Sequence, residues 1–283
     1  MERLATLKDF LGALARSYIF LALLAAVLAY LTFNALVPHP QVGVIRIEGS
    51  IMDAAKADRI AQMLEYARKE PSIRAVVLEI DSPGGLASAS EDLYLDVLRL
   101  RREKPVIASI TTIGASGAYY LAIAANSIYA KPTSIVGSVG VVTTLPSPQK
   151  LDENALTTGP FKAVGSSRRS WTYQTQAAAE SFQGAVLAQR GKRLKIPKEE
   201  LATAQVYNGI DALRIGLIDG IGSNSDAVEK AADLAGIARY GVVDVKKALN
   251  LTDFGVIFFV DEEQLHAPTN TAPINYYLYL EQR

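Results

Sequence analysis

Ala75-Val76-Val77-Leu78-Glu79-Ile80-Asp81-Ser82-Pro83-Gly84-Gly85 reads as a short apolar strand that runs into a sharp glycine turn. The pattern alternates outward from it. Val42–Ile47 is another strand-like run, and between the two Ile60, Met63, Leu64 and Ala67 fall at i, i+3, i+4 and i+7, one face of a helix. Ala87–Arg102 reads as helix, Pro105–Ile110 as strand, and Tyr119–Ala125 as an apolar helix. Ser127–Ala130 and Val136–Thr143 read as further strands. A polar stretch follows Pro148, then a strand-like Ala155–Thr158 and a long helix around Thr175–Gln189. Asp211–Ile215 and Asp226–Leu234 are expected helices, with Gly216 and Gly236 near their ends. Repeated βαβ units give an α/β fold, with parallel strands and helices packed outside.

Composition narrows the chemistry. The 283 residues carry 29 Lys+Arg and 29 Asp+Glu, so the formal charge is zero and nucleic acid is not an expected partner. Apolar residues make up 49%, enough for a large core. With no cysteine there is no disulfide, thiolate metal site or cysteine nucleophile. The only histidines, His39 and His266, read as linker and tail. No metal and no cofactor is expected. A nucleophile in this chain needs a base other than histidine, and lysine is the next candidate, since burial lowers its pKa.

Tyr18 to Val37, YIFLALLAAVLAYLTFNALV, is 20 residues without a charge. A helix of that length spans about 30 Å, the hydrocarbon thickness of a bilayer. No Ala-x-Ala cleavage site follows, so an uncleaved anchor is favoured over a signal peptide. Arg3, Lys8 and Arg16 precede the run, which places residues 1–17 in the cytoplasm. Residues 18–37 are then a transmembrane helix, and 38–283 an extracytoplasmic domain with a C-terminal tail.

Three glycine-rich turns could carry chemistry. Asp81–Gly85 can aim backbone N–H groups at an anion with no Cβ in the way, or be an ordinary turn. In Gly114-Ala115-Ser116-Gly117, Ser116 opens an apolar helix. It is either a nucleophile, with the Gly117 N–H as an oxyanion donor, or an N-cap. Gly137-Ser138-Val139-Gly140 lies at a strand edge, as a third site element or as a close backbone contact.

DSPGG, then GASGAYYLA, then GSVGV, together resemble the short form of the signal peptide peptidase SppA family. The resemblance covers roughly residues 42–235. It implies a membrane-anchored serine–lysine endopeptidase on a ClpP/crotonase-like spiral of repeated βαβ units. Carried onto this chain, it implies Ser116 as nucleophile and Gly85 and Gly117 as oxyanion donors. Gly159-Pro160-Phe161-Lys162-Ala163-Val164-Gly165-Ser166 matches the family segment that holds the general base, which implies Lys162; Ser138 matches the serine that orients it. Departures are Ala118 for a usual glycine, a short Val142–Thr157 stretch, and Ser167-Arg168-Arg169-Ser170 for a proline-containing motif. Lys131, in Ala130-Lys131-Pro132, is the rival base; the remaining lysines mostly read as solvated.

A lysine base must lose its proton near neutrality, a fall of roughly 3 units or about 4 kcal/mol, so Lys162 is expected to be buried and about 3 Å from Ser116. Part of that burial is expected from a neighbouring subunit if the base works across an interface. The implied partners are extended apolar peptides such as cleaved signal peptides, the membrane, and further copies of the chain. Val260–Arg283, aromatic at Tyr276, Tyr277 and Tyr279, is a candidate to pack on a neighbour or on its own domain. A crotonase-fold enzyme acting on thioesters and an inactive membrane-tethered scaffold are the other function classes.

Overall fold

The computed structural model describes residues 12–13, 17–29, 32, 39–145, 158–159, 161–162, 165–251 and 275–278. The chain divides into two compact units, Met1–His39 and Pro40–Arg283.

In the first unit residues 17–29 form helix α1. Its apolar side chains stand bare, from Leu24 at 44% exposed to Phe20 at 66%. Among the described residues no helix is long and apolar enough to cross a membrane. Residues 30–31 and 33–37 of the expected span lie outside the described residues.

The second unit is built on a mostly parallel sheet. β1 (Gln41–Glu48), β2 (Ile73–Ser82), β4 (Val106–Ala115) and β5 (Ser127–Ala130) are parallel neighbours in that order. β10 (Gly241–Asp244) extends the sheet beside β1 and β9 (Gly220–Ile221) beside β5, both parallel. β6 (Ile135–Gly137) pairs with the far end of β4, and β8 (Val206–Asn208) adds antiparallel to β6. Consecutive parallel strands need a crossover, and helices supply it: α2 (Ala54–Lys69) between β1 and β2, α3 (Ala87–Arg101) between β2 and β4, α4 (Gly117–Ala122) between β4 and β5.

Each helix follows from its own sequence. Asp53 caps α2 by accepting from the Ala55 N–H, and the buried face is Ile60, Met63, Leu64 and Ala67, as the spacing requires. α3 buries Leu93, Tyr94, Val97 and Leu100. These faces cover one side of the sheet, and α5 (Arg168–Arg190) adds Phe182 and Val186 to the same core. The other side is covered by α8 (Asn224–Leu234), whose Ala227, Ala231 and Ala232 lie on Val42, Val44, Ala75, Val77 and Ile107. The α7 helix (Gly209–Ile215) ends at Gly216, which takes a left-handed φ of 87°.

The expected strand over Val136–Thr143 is in fact broken. Gly137 has φ 113° and Ser138 φ 53°, so the backbone leaves the extended region there. Val142–Thr143 (β7) joins a separate small sheet, ordered β3–β11–β7, with β3 at Gly84–Leu86 and β11 at Asn275–Leu278. The long helix also starts earlier than expected, at Arg168, where the Ser167 hydroxyl accepts from the Ser170 N–H. Of the strand-like Ala155–Thr158, only Thr158 lies among the described residues, as a bend.

Arg190 ends α5 at 2% exposed. Its guanidinium donates to the Gly216 carbonyl and to Asp219 Oδ2 at 2.7 Å. Asp219 Oδ2 also accepts the Ile128 N–H at the start of β5. Arg190→Ala takes the guanidinium from the Gly216 carbonyl and leaves Asp219 with the Ile128 N–H and the exposed Arg193 alone, and should cost about 3 kcal/mol. Chemical denaturation should show the midpoint falling accordingly; an unchanged midpoint would mean the pair contributes nothing net.

Candidate active site

The parallel register gathers the glycine-rich turns at one edge of the sheet. Ser82 pairs with Gly114 across β2 and β4, and Ala115 pairs with Gly137 across β4 and β6. The Ser116 N–H donates to the Gly137 carbonyl at 2.8 Å, joining the second motif to the third. Clefts at the carboxyl ends of parallel strands are where α/β proteins place their chemistry.

Ser116 sits between β4 and α4 at φ 52°, ψ −123°. A non-glycine residue in that region stores about 1–3 kcal/mol of strain and persists only where its surroundings enforce it. Here β4 and β6 hold one side and α4, which is entirely buried, holds the other. The N-cap reading fails, because the serine makes no side-chain capping bond. Its side chain is 1% exposed, and Oγ is the one buried side-chain N or O atom without a hydrogen-bond partner among the described residues. Such an orphan is uncommon in folded proteins. Gly117 begins α4, so its N–H has no acceptor within the helix.

The rest of the GASGAYYLA motif is packing. Tyr119 OH donates to the Leu217 carbonyl at 2.7 Å, and burial pushes its pKa upward. The Tyr120 ring lies between Tyr94 and Phe182, with centroids at 4.7 and 4.5 Å.

Gly85 has no room for a side chain. A Cβ there would stand 2.1 Å from the Ile51 carbonyl oxygen. Ile51 forms a parallel bridge to Gly85: its N–H donates to the Gly84 carbonyl at 2.8 Å, and the Leu86 N–H donates back to its carbonyl at 2.9 Å. Lys56 reinforces this turn. Its ammonium donates to the Glu48 and Ser50 carbonyls, and burial lowers its pKa against the pull of Glu48 and Asp53. Sequence reading grouped Lys56 with the solvated lysines; it is part-buried, as is Lys104, which donates to the Ala67 and Glu70 carbonyls. Neither signal is visible in the sequence, because the acceptors are backbone.

Ser138 is nearly buried at φ 53°, and its N–H donates to the Gln205 carbonyl at 3.0 Å. Lys162 does not join this group within the chain. It lies exposed in a turn closed by its N–H donating to the Gly159 carbonyl, and Ser116 Oγ has no partner among the described residues. The expected burial and 3 Å contact are therefore not formed in the single chain. Lys131 is exposed too, its backbone N–H donating to Ser134 Oγ. Ser116, Gly117, Ser138 and the β3 turn are brought together, and the base is not.

Residues 99–238 match peptidase family S49. A Methanocaldococcus jannaschii protein that carries a protease name is 32% identical over 211 residues, covering 70% of this chain and 68% of that protein. The chain belongs to peptidase family S49. The S49 match spans Ser116, Ser138 and Lys162, while Gly85 precedes it. A further relative carries the SppA name, the chloroplastic serine protease SPPA of Arabidopsis thaliana. It is 32% identical over 223 residues, covering 70% of this chain and 33% of that protein. The chain spans well under half the length of such longer S49 relatives. Among solved structures, a membrane-bound stomatin-specific protease in complex with a substrate peptide aligns with TM-score 0.46 and 18% identity, over 69% of this chain and 81% of that one.

Proposed function

We propose that this S49 protein is a membrane-bound serine endopeptidase on a ClpP/crotonase-like fold that degrades cleaved signal peptides or similar apolar, extended peptides. The observation that carries this reading is Ser116: strained, buried, and with an Oγ that no group among the described residues uses. Neutral Lys162 takes the Ser116 proton as Oγ attacks a peptide carbonyl. The Gly85 and Gly117 N–H groups receive the oxyanion. Lys162 then protonates the leaving amine, and water hydrolyses the acyl-enzyme. Lys162 meets Ser116 and Ser138 in the assembled homo-oligomer, where a neighbouring subunit supplies the wall that desolvates it. The bare apolar side chains of α1 and the uncharged run around them support a cytoplasmic N-terminus, one membrane span and a catalytic domain outside.

A membrane-impermeant fluorophosphonate, applied to cells with a permeable envelope, tests both halves of this reading. The expected result is labelling of the full chain and none of Ser116→Ala. Labelling that survives Ser116→Ala would remove the nucleophile; labelling only after lysis would reverse the topology.

A further inference from the structure

β4 changes partners half-way along. Residues 107–110 pair with β5, and residues 113–115 pair with β6. The ladder on its other edge slips at the same place. Ile80 of β2 pairs with Ile110, but Ser82, two residues on, pairs with Gly114, four residues on. Two extra residues of β4 are taken up there. Residues four apart in a regular strand lie about 13 Å from each other. A Cβ on Gly114 would nevertheless stand 2.8 Å from the Ile110 side chain. β4 is therefore sharply bulged over residues 111–113, and Ser116 follows three residues later.

Three side chains pin the bulge. Asp81 stands opposite it on β2, and its Oδ1 accepts the Ile113 N–H at 3.2 Å. Thr111 Oγ1 donates to the Ile80 carbonyl at 3.2 Å. From the other edge comes Ser134, 1% exposed, in the turn between β5 and β6. Its hydroxyl donates to the Ile110 and Thr111 carbonyls at 3.1 and 2.8 Å and accepts the Lys131 N–H at 3.0 Å. A bulge takes backbone groups out of the ladder, and buried ones are costly unless something else meets them. Here side chains meet them, which holds the bulge in one form.

Bulges beside active sites re-aim the chain that follows them. This one carries β4 off β5 and onto β6, whose Gly137 carbonyl receives the Ser116 N–H. Ser116 at φ 52° persists only where its surroundings enforce that backbone, and the contact with β6 exists because β4 has turned towards it. We propose that the bulge in β4 aims the nucleophile, with Asp81 and Ser134 as positioning residues that set the place of Ser116 Oγ without touching substrate. This role rests on the peptidase reading of Ser116. Misplacing a reacting atom by about 1 Å costs about 10²-fold in rate, whereas a peptide held by its own backbone along a strand edge binds much as before.

The test uses full-length chains in detergent: the parent, Asp81→Ala, Asp81→Asn and Asn126→Ala. Asn126 is the matched control, because its Oδ1 accepts the Val106 N–H at 2.8 Å, at the opposite end of β4. The rate of fluorophosphonate labelling, and kcat and KM on a fluorogenic apolar decapeptide, are read per folded molecule. Asp81→Ala should lose about 10²-fold in labelling rate and in kcat, with KM within about twofold of the parent. Asparagine keeps an acceptor oxygen in the same place, so Asp81→Asn should recover both rates to within about fivefold of the parent. Asn126→Ala should lower the thermal midpoint and leave kcat within about twofold. Unchanged kcat in Asp81→Ala, or an Asp81→Asn as slow as Asp81→Ala, would overturn the positioning role. An equal loss of kcat in Asn126→Ala would also overturn it, by showing that any loosening of β4 has the same effect. No labelling of the parent would instead overturn the peptidase reading itself. Should Asp81→Ala fail to fold, Ser134→Ala takes its place with the same expected loss, and an unchanged kcat there overturns the role.

Discussion

Ser116→Ala and Lys162→Arg should each reduce peptide turnover by at least about 10³-fold, and the double variant should be no worse than either alone. Residues that act as one unit are strongly non-additive, since the second loss removes nothing the first left working. Ser116→Ala removes the attacking oxygen. Lys162→Arg keeps the positive charge but substitutes a guanidinium that does not give up its proton. Lys131→Arg serves as the control and should stay within about twofold of the parent. The measurement is kcat/KM on one peptide across the four variants and the parent. Normal cleavage by Lys162→Arg together with loss in Lys131→Arg would make Lys131 the base. Loss in neither would end the lysine-base mechanism.

Gly85→Ala should lower kcat by about 10²–10³-fold, the usual cost of losing one oxyanion donor. A Cβ at position 85 stands 2.1 Å from the Ile51 carbonyl oxygen, so β3 has to move away from Ile51. The N–H of residue 85 is then displaced from the place where negative charge develops. Because the obstacle is backbone on both sides, no rotamer change relieves it. Gly184→Ala is the matching control: it is exposed in α5, a Cβ there meets nothing within 4 Å, and it should retain activity while gaining up to about 1 kcal/mol of stability. The two variants are compared by kcat and by thermal midpoint. If Gly85→Ala keeps its kcat, the residue-85 N–H is not an oxyanion donor.

The legible parts of the fold were those with a full apolar face. Ile60, Met63, Leu64 and Ala67 are buried as their spacing requires, and β2 carries a run of buried residues from Ala75 to Leu78. What could not be read depends on partners distant in the chain. β8, β9 and β10 are two to four residues long and have no periodicity of their own; β9 and β10 form along the edges of the longer β5 and β1, and β8 along the equally short β6. The first turns of α5, Arg168 to Gln176, hold mostly polar and aromatic side chains with no apolar stripe, so only the Ser167 cap marks the start. In the candidate site, small residues at strand ends marked the turns that hold Ser116, Gly85 and Ser138, because close backbone approach leaves few alternatives to them, and the family motif alone supplied their proposed roles. Lys162 was reachable only through the family motif, and its exposed turn is not something local sequence determines. The break at Gly137–Ser138 was hidden because both flanks are β-branched and apolar.

β1 begins just after the boundary between the two units, and it lies between β2 and β10 rather than at an edge. Both ladders run parallel to it, from Gln41 to Glu48 against β2 and from Gln41 to Val44 against β10. Arg46 adds ion pairs to Glu79 of β2 and Asp244 of β10. A pull transmitted through residue 40 therefore loads β1 along its own axis. Two ladders then resist in shear, with their bonds stretched together rather than opened one after another as when an edge strand is peeled. The segment that connects this domain to whatever restrains its N-terminal side is the strand best placed to bear mechanical load.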